Sequence, residues 1–208
     1  MKSFFKNNKK NYQEYLKTQE YHWSVKNSKI RNKFEYHAII NHIDDANIFN
    51  KKKINGLCLG ARNNYERDCF VYYLNELGIT ADVLSVDLSE KANVDIKCDF
   101  NNLPQNFANK YNFIYSNCLD HTFDLKETLK EWKRVVVDGG ILILGVSSQN
   151  TEKEGLDVDQ HSHFDKQNCT LINIKELETF LKKEFKSFSV FYKNHEKTRS
   201  LGYDREFM

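Results

Sequence analysis

An apolar run, Ile54-Asn55-Gly56-Leu57-Cys58-Leu59, ends at Gly60 and leads through Ala61-Arg62-Asn63-Asn64 into a segment with helical spacing that starts at Tyr65-Glu66. A second apolar run, Val83-Leu84-Ser85-Val86, ends in an acid, Asp87. Strand, glycine turn, helix and a second strand closed by a carboxylate make a nucleotide-binding βαβ unit. The glycine admits the tight turn, and the acid can accept hydrogen bonds from ribose hydroxyls. The step from Gly60 to Asp87 is 87 − 60 = 27 residues, longer than the roughly 20 of the dinucleotide fingerprint, and that fingerprint's second and third glycines are absent. The unit suits an adenosine-like ligand and is poorly matched to a dinucleotide.

The pattern continues downstream as an alternation. Tyr65 to Leu77 reads as an amphipathic helix stopped by Gly78, and Ala81 to Val86 as the second strand. Val94 to Lys97 is a short third strand and Tyr111 to Asn117 a fourth. Lys126 to Val135 is a helix, and Ile141 to Val146 is a fifth strand after an Asp138-Gly139-Gly140 turn. A helix over Ile174 to Phe185 and a strand over Phe188 to Tyr192 complete the series. Alternating strands and helices predict an α/β fold, Rossmann-like, with an open, mostly parallel sheet covered on both faces and its ligand at the carboxyl ends of the strands. Before it, residues 1–50 carry Tyr12, Tyr15, Tyr21, Trp23 and other aromatics in two segments of helical spacing, Asn11 to Glu20 and Lys33 to Ile43. They are expected to form an N-terminal helical lid or extension on a domain spanning 51–208.

With 208 residues and 40% apolar content the chain can bury a substantial core. Its net charge of +2, with lysines spread along the chain, gives no concentrated basic face, so nucleic acid is not an expected partner. No apolar stretch approaches the roughly 18 residues of a membrane span, and the basic start has no apolar region after it, so no membrane association is expected. Five cysteines, Cys58, Cys69, Cys98, Cys118 and Cys169, form no CxxC pair and read as buried thiols of a reducing compartment. The cytoplasm is the expected location.

Two stretches carry a resemblance. Lys110-Tyr111-Asn112-Phe113-Ile114-Tyr115-Ser116-Asn117-Cys118-Leu119-Asp120-His121 is a strand ending near a histidine. Leu129-Lys130-Glu131-Trp132-Lys133-Arg134-Val135-Val136-Val137-Asp138-Gly139-Gly140 then follows an L-x-E-x-x-R-V pattern into a glycine pair and an apolar strand. In this order the chain resembles the class I S-adenosylmethionine-dependent methyltransferases, over about Ile54 to Tyr192, and in general look the small bacterial enzymes that modify sugars and surface glycans, including capsule polysaccharide. The resemblance implies S-adenosyl-L-methionine as cofactor. It places Asp87 on both ribose hydroxyls, Asp99 on the adenine amino group, Phe100 or Leu88 against the ring, and Asn117 beside the methyl donor.

The first motif departs from that family. Cys58 stands where an acid is usual, removing one contact to the cofactor's amino group or to the loop, and Arg62 and Asn64 stand at the later glycine positions. Arg62 suits the methionyl carboxylate, by paired hydrogen bonds at a helix N-terminus, or else pairs with Glu66 on the surface. Asp87 and Asp99 have plain alternatives, as a solvated loop acid and a helix cap.

Methyl transfer to a hydroxyl needs a base at the mouth of the site. Asp120 and His121 follow the fourth strand, and His161 and His163 lie in the polar loop Asp157 to Asp165 after the fifth. These are the candidate catalytic residues, as base or substrate hydrogen-bond donors; a metal role for the two histidines is less favoured than a polar loop, and no metal is assigned. Loops bearing His, Asp, Asn and Gln suit a polyhydroxyl acceptor, which makes O-methylation of a sugar or nucleotide-linked sugar the leading expectation. The alternatives are N-methylation of a small amine or protein side chain, and an inactive cofactor-binding partner subunit.

Overall fold

The computed structural model describes residues 5–6, 11–25, 36–37, 39–41, 53–147, 171–172, 174–185, 191–192 and 205–207. In chain order these give β1 (Phe5–Lys6), α1 (Tyr12–Val25), β2 (Lys53–Leu59), α2 (Tyr65–Glu76), β3 (Thr80–Asp87), β4 (Ile96–Lys97) and β5 (Tyr111–Ser116). There follow α3 (Leu125–Val135), β6 (Val136–Ser147), β7 (Leu171–Ile172), α4 (Ile174–Glu184), β8 (Phe191–Tyr192) and β9 (Arg205–Phe207). Residues 36–37 and 39–41 are helical. No helix among the described residues is long and apolar enough to cross a membrane.

Seven strands form one sheet in the order β4-β3-β2-β5-β6-β9-β8. The five from β4 to β6 are parallel, and β9 runs antiparallel to both β6 and β8. This is the open, mostly parallel α/β sheet expected. Its registers bring Leu59 opposite Val86 and Ser116, and Asp87 opposite Lys97, so the carboxyl ends of β2, β3, β4 and β5 share one edge.

Alternation along β2 explains why both faces are covered. Leu57 and Leu59 join Val86, Ile114, Leu129, Trp132 and Leu177 in one core, under α3 and α4. Ile54 and Cys58 point the other way, into a second core with Tyr36, Phe70, Leu74, Phe113 and Tyr115 under α2 and the helical residues around Tyr36. A strand buried on both faces reads as a nearly continuous apolar run, as this one does.

Helix α3 follows from local signals. Asp124 caps it, accepting from the N–H of Lys126 (3.0 Å) and Glu127 (3.1 Å), and Leu125, Leu129, Trp132 and Val135 bury one stripe. It ends without a loop, and β6 begins at the next residue. The Asp138-Gly139-Gly140 turn expected before the fifth strand is instead a bulge inside a longer strand. A two-residue step on β5, Tyr111 to Phe113, is matched by a five-residue step on β6, Val136 to Ile141. Gly139 takes φ +74°, and a Cβ on Gly140 would lie 2.8 Å from the Asn112 carbonyl oxygen, so the glycine pair lets the slack fold out of the ladder.

The third strand is shorter than expected, two residues at the sheet edge. Cys58, Cys69 and Cys118 are buried and Cys98 is half-buried; Cys169 lies outside the described residues.

Candidate functional site

Gly60 turns the chain at φ +69°, and its N–H and that of Ala61 both donate to the Val86 carbonyl (2.8 and 3.0 Å). A Cβ there would lie 2.1 Å from Cys118 Sγ, so the loop after β2 closes directly on the loop after β5 and only glycine fits. Arg62 also has a positive φ, 50°, and its N–H donates to Asp87 Oδ2 at 3.0 Å. Asp87 Oδ1 accepts from the Ser89 N–H at 2.8 Å. Asp87 is therefore a buried carboxylate that braces two loops at once, not a solvated loop acid.

Asp99 closes a short turn, accepting from the Asn101 N–H at 2.9 Å on Oδ1, while Oδ2 accepts from the hydroxyl of Tyr12. No helix starts on it, so the capping alternative does not hold. Asn101, which the sequence reading passed over, is a junction. Its Nδ2 donates to Tyr15 Oη (2.7 Å) and Asp99 Oδ1 (2.6 Å), and its Oδ1 accepts from the Phe123 N–H (2.9 Å) and Thr128 Oγ1 (2.8 Å). Tyr12 and Tyr15 pack on Phe123 with ring centroids 5.4 and 5.6 Å away. Further along α1, Trp23 lies under Lys91 Nζ, 5.9 Å from the ring centre. Helix α1 thus runs across the strand ends, from the loops after β4 and β5 to the loop after β3. Tyr21, expected to help close the crevice, is 62% exposed.

Phe100 is a core side chain, packed edge-on to Trp132 at 5.8 Å, whereas Leu88 is half-buried beside Asp87. The Glu131–Arg134 pair of the L-x-E-x-x-R pattern proves to be a clamp. Arg134 grips Glu131 through Nε (2.8 Å) and Nη2 (2.6 Å), Glu131 Oε1 accepts from the Leu103 N–H (2.9 Å), and Arg134 Nη2 donates to the Leu103 carbonyl (3.1 Å). With Trp132 Nε1 on the Phe100 carbonyl at 2.9 Å, α3 fixes the 99–105 loop on which the candidate adenine contact depends.

On the β2–β5 side, Asn117 is half-buried and donates to Glu66 Oε1 and to Tyr115 Oη (3.2 Å). Glu66, named from sequence only as a possible surface partner of Arg62, is 7% exposed and also accepts from Tyr36 Oη at 3.3 Å. The signal for this was present: Glu66, Phe70 and Leu74 lie four apart, on the buried stripe of α2.

Asp120 and His121 sit in a 3-10 turn, Leu119–His121, with Nε2 of the imidazole 3.7 Å from Asp120 Oδ2 and both side chains largely shielded. Between these groups, burial pushes the Cys118 thiol up to about 12, and the charges of Asp120, Glu66 and Asp87 add to that effect. His161, His163, Asp157 and Asp159 lie outside the described residues. Among the described residues no group of His, Cys, Asp and Glu is arranged to hold a metal.

No family model and no curated protein matches the sequence. Solved structures do resemble the fold. Phosphoethanolamine N-methyltransferase 2 of Haemonchus contortus, in complex with S-adenosyl-L-methionine, is 15% identical with TM-score 0.61, over 90% of this chain and 44% of its own. The CurJ carbon methyltransferase is 18% identical with TM-score 0.57, over 92% of this chain and 56% of its own. A SAM-dependent methyltransferase of Thermotoga maritima is 18% identical with TM-score 0.52, over 84% of each chain. The chain spans about half the length of the first two of these proteins. Its fold is that of the S-adenosylmethionine-dependent methyltransferases.

Proposed function

We propose that the chain is an S-adenosylmethionine-dependent methyltransferase that O-methylates a hydroxyl of a small-molecule acceptor, a sugar or nucleotide-linked sugar. The observation that carries the cofactor reading is Asp87, buried at a strand end beside the Gly60 turn, with one N–H on each oxygen. A carboxylate offers about four acceptor positions, so capacity for a ribose diol remains on both oxygens. Asp99 takes the adenine amino group and Leu88 the ring, with Phe100 supporting them from the core. Arg62 holds the methionyl carboxylate and Asn117 lies beside the reacting sulfur.

When bound, the cofactor supplies a methyl group on a positively charged sulfur. The chain's own residues then have two tasks: to hold the acceptor oxygen within roughly 3–3.5 Å, and to take its proton. His121 is the base, with Asp120 favouring the imidazolium that results; His161 and His163 stay the further candidates for base or hydrogen-bond donor. On α1, Gln19 Nε2 and Trp23 Nε1 are buried donors with no hydrogen-bond partner among the described residues. They lie four apart on the stripe that starts with Tyr15, and buried donors of this kind suit an oxygen-rich acceptor.

Calorimetry with S-adenosylmethionine, its demethylated product and NAD tests the cofactor, and a panel of nucleotide sugars followed by mass spectrometry tests the acceptor. Binding of the first two ligands and not of NAD, with one added methyl on a sugar, is expected. Binding of NAD alone overturns the reading, and a methylated amine in place of a sugar overturns its acceptor half. In the active protein, His121→Ala lowers turnover by roughly 10²–10⁴ with cofactor affinity unchanged. Full turnover in that variant removes His121 as the base.

A further inference from the structure

We infer that the cavity between the C-terminal end of α2 and the helical residues around His37 is a docking site for an arginine side chain presented by a partner protein. The cavity lies away from the crevice. β3 starts at Thr80 and ends at Asp87, so Glu76, four residues before Thr80, is at the opposite edge of the sheet. The inference therefore stands apart from the cofactor proposed above.

The first ground is charge. A helix C-terminus carries partial negative charge, which basic residues in the last turn offset. Helix α3 has Lys133 and Arg134 there, and α4 has Lys182 and Lys183. Helix α2 has no basic residue in its last turn and ends on an acid, Glu76. Glu76 is exposed, and its carboxylate forms no ion pair or hydrogen bond among the described residues. Two negative features thus coincide with no cation of the described chain to meet them.

The second ground is the lining. Glu76 shares one cavity of about 130 Å³ with Tyr72, Tyr73, Leu77, His37 and Asn41. The rings of Tyr72 and Tyr73 meet at 83° with centroids 5.1 Å apart, and His37 lies 5.0 Å from Tyr73. Asn41 Nδ2 is 3.3 Å from His37 Nε2, which leaves the amide oxygen of Asn41 as a further acceptor. Ring faces beside a carboxylate suit a guanidinium, which stacks flat on an aromatic ring while its N–H fork reaches acceptors at the edge. The volume takes one side chain, well short of the roughly 300–1,000 Å³ of a small-molecule site.

The third ground is the surrounding surface. Tyr36, Ile39 and Ile40 face the second core, so His37 and Asn41 turn outward beside α2. Four large apolar side chains are exposed among the described residues, and two of them, Tyr72 at 58% and Leu77 at 39%, line this cavity. A free amino acid would leave them in water, whereas a protein segment carrying the arginine covers them.

The test is an NMR titration of the isotope-labelled protein with a capped leucine–arginine–leucine tripeptide, and with the same peptide carrying citrulline, a neutral isostere, in place of arginine. The arginine peptide gives saturable shifts in the last turn of α2 and around His37, and the citrulline peptide binds at least about tenfold more weakly. Glu76→Gln, a substitution at an exposed position, brings the arginine peptide down to the citrulline level. Equal affinity for the two peptides, shifts confined to other surfaces, or no saturation in the millimolar range overturns the inference. The same shifts on raising the protein concentration without peptide would make a second copy of this chain the occupant and overturn the arginine partner.

Discussion

The two ends of the crevice hold carboxylates out of water by different means. At the β3–β4 end, Asp87 and Asp99 are held largely by their own turns: Ser89 N–H on Asp87 and Asn101 N–H on Asp99, each two residues away. At the β2–β5 end, Glu66 is held by Tyr36 and Asn117, which lie 30 and 51 residues away. The first kind of site is built by local chain geometry and then locked by a helix. The second exists only after several elements have packed. A substitution at the first end acts through loop shape, and one at the second acts through charge.

The largest expected effect breaks the lock at the first end. Trp132 is fully buried and holds the Phe100 carbonyl, so Trp132→Ala destabilises the fold by about 3–5 kcal/mol in chemical denaturation. A loss below about 1 kcal/mol would show that the Glu131–Arg134 clamp alone carries the 99–105 loop. Next comes Asp87→Ala, which lowers affinity for S-adenosylhomocysteine by about 1.5–3 kcal/mol in calorimetry. Unchanged affinity would move the ribose away from this edge. Arg62→Leu costs at least about tenfold for S-adenosylhomocysteine and leaves adenosine unaffected, because adenosine lacks the carboxylate. Equal losses for both ligands would place Arg62 with Asp87, as a residue that acts through the loop.

The smallest effect is a pH dependence. Burial raises the Asp95 carboxyl, but the Ser85 N–H and hydroxyl and the Arg67 guanidinium outweigh it and hold the group below its ordinary value. A carboxyl lowered on folding contributes stability that is fully present above its unfolded value, about pH 4, and is lost as pH falls through the folded value. Urea midpoints measured against pH show this acid limb in the wild type and a flatter one in Asp95→Asn. Identical limbs would show that the Ser85–Asp95–Arg67 network adds nothing beyond its geometry.

The same division explains what could be read in advance. Gly60, Asp87 and the parallel sheet were legible because each rests on spacing within one strand or one turn. The Glu131–Arg134 pattern was legible as a pattern, but its work was not, since its partner Leu103 lies 28 residues back. Asn101 could not be singled out, because an asparagine in a polar loop looks the same whether it makes one hydrogen bond or four. Glu66 was legible and was misread: helical spacing places it on the buried stripe, and the surface pairing offered for it with Arg62 overlooked that spacing. At Asp138-Gly139-Gly140 the glycines were seen and their setting was not, since a turn and a bulge ask the same of the backbone.

One consequence of the α1 contacts concerns the order in which the molecule assembles. Tyr12 and Tyr15 dock on groups 87 and 86 residues further along, at Asp99 and Asn101. During synthesis these 14 residues of α1 leave the ribosome long before the surface that receives them exists, and an isolated helix of that length is marginal in water. Helix α1 therefore docks only after the loops that hold Asp99 and Asn101 have formed. Its amides are expected to exchange through openings smaller than global unfolding, so that the roof over the strand ends opens while the sheet beneath it stays closed.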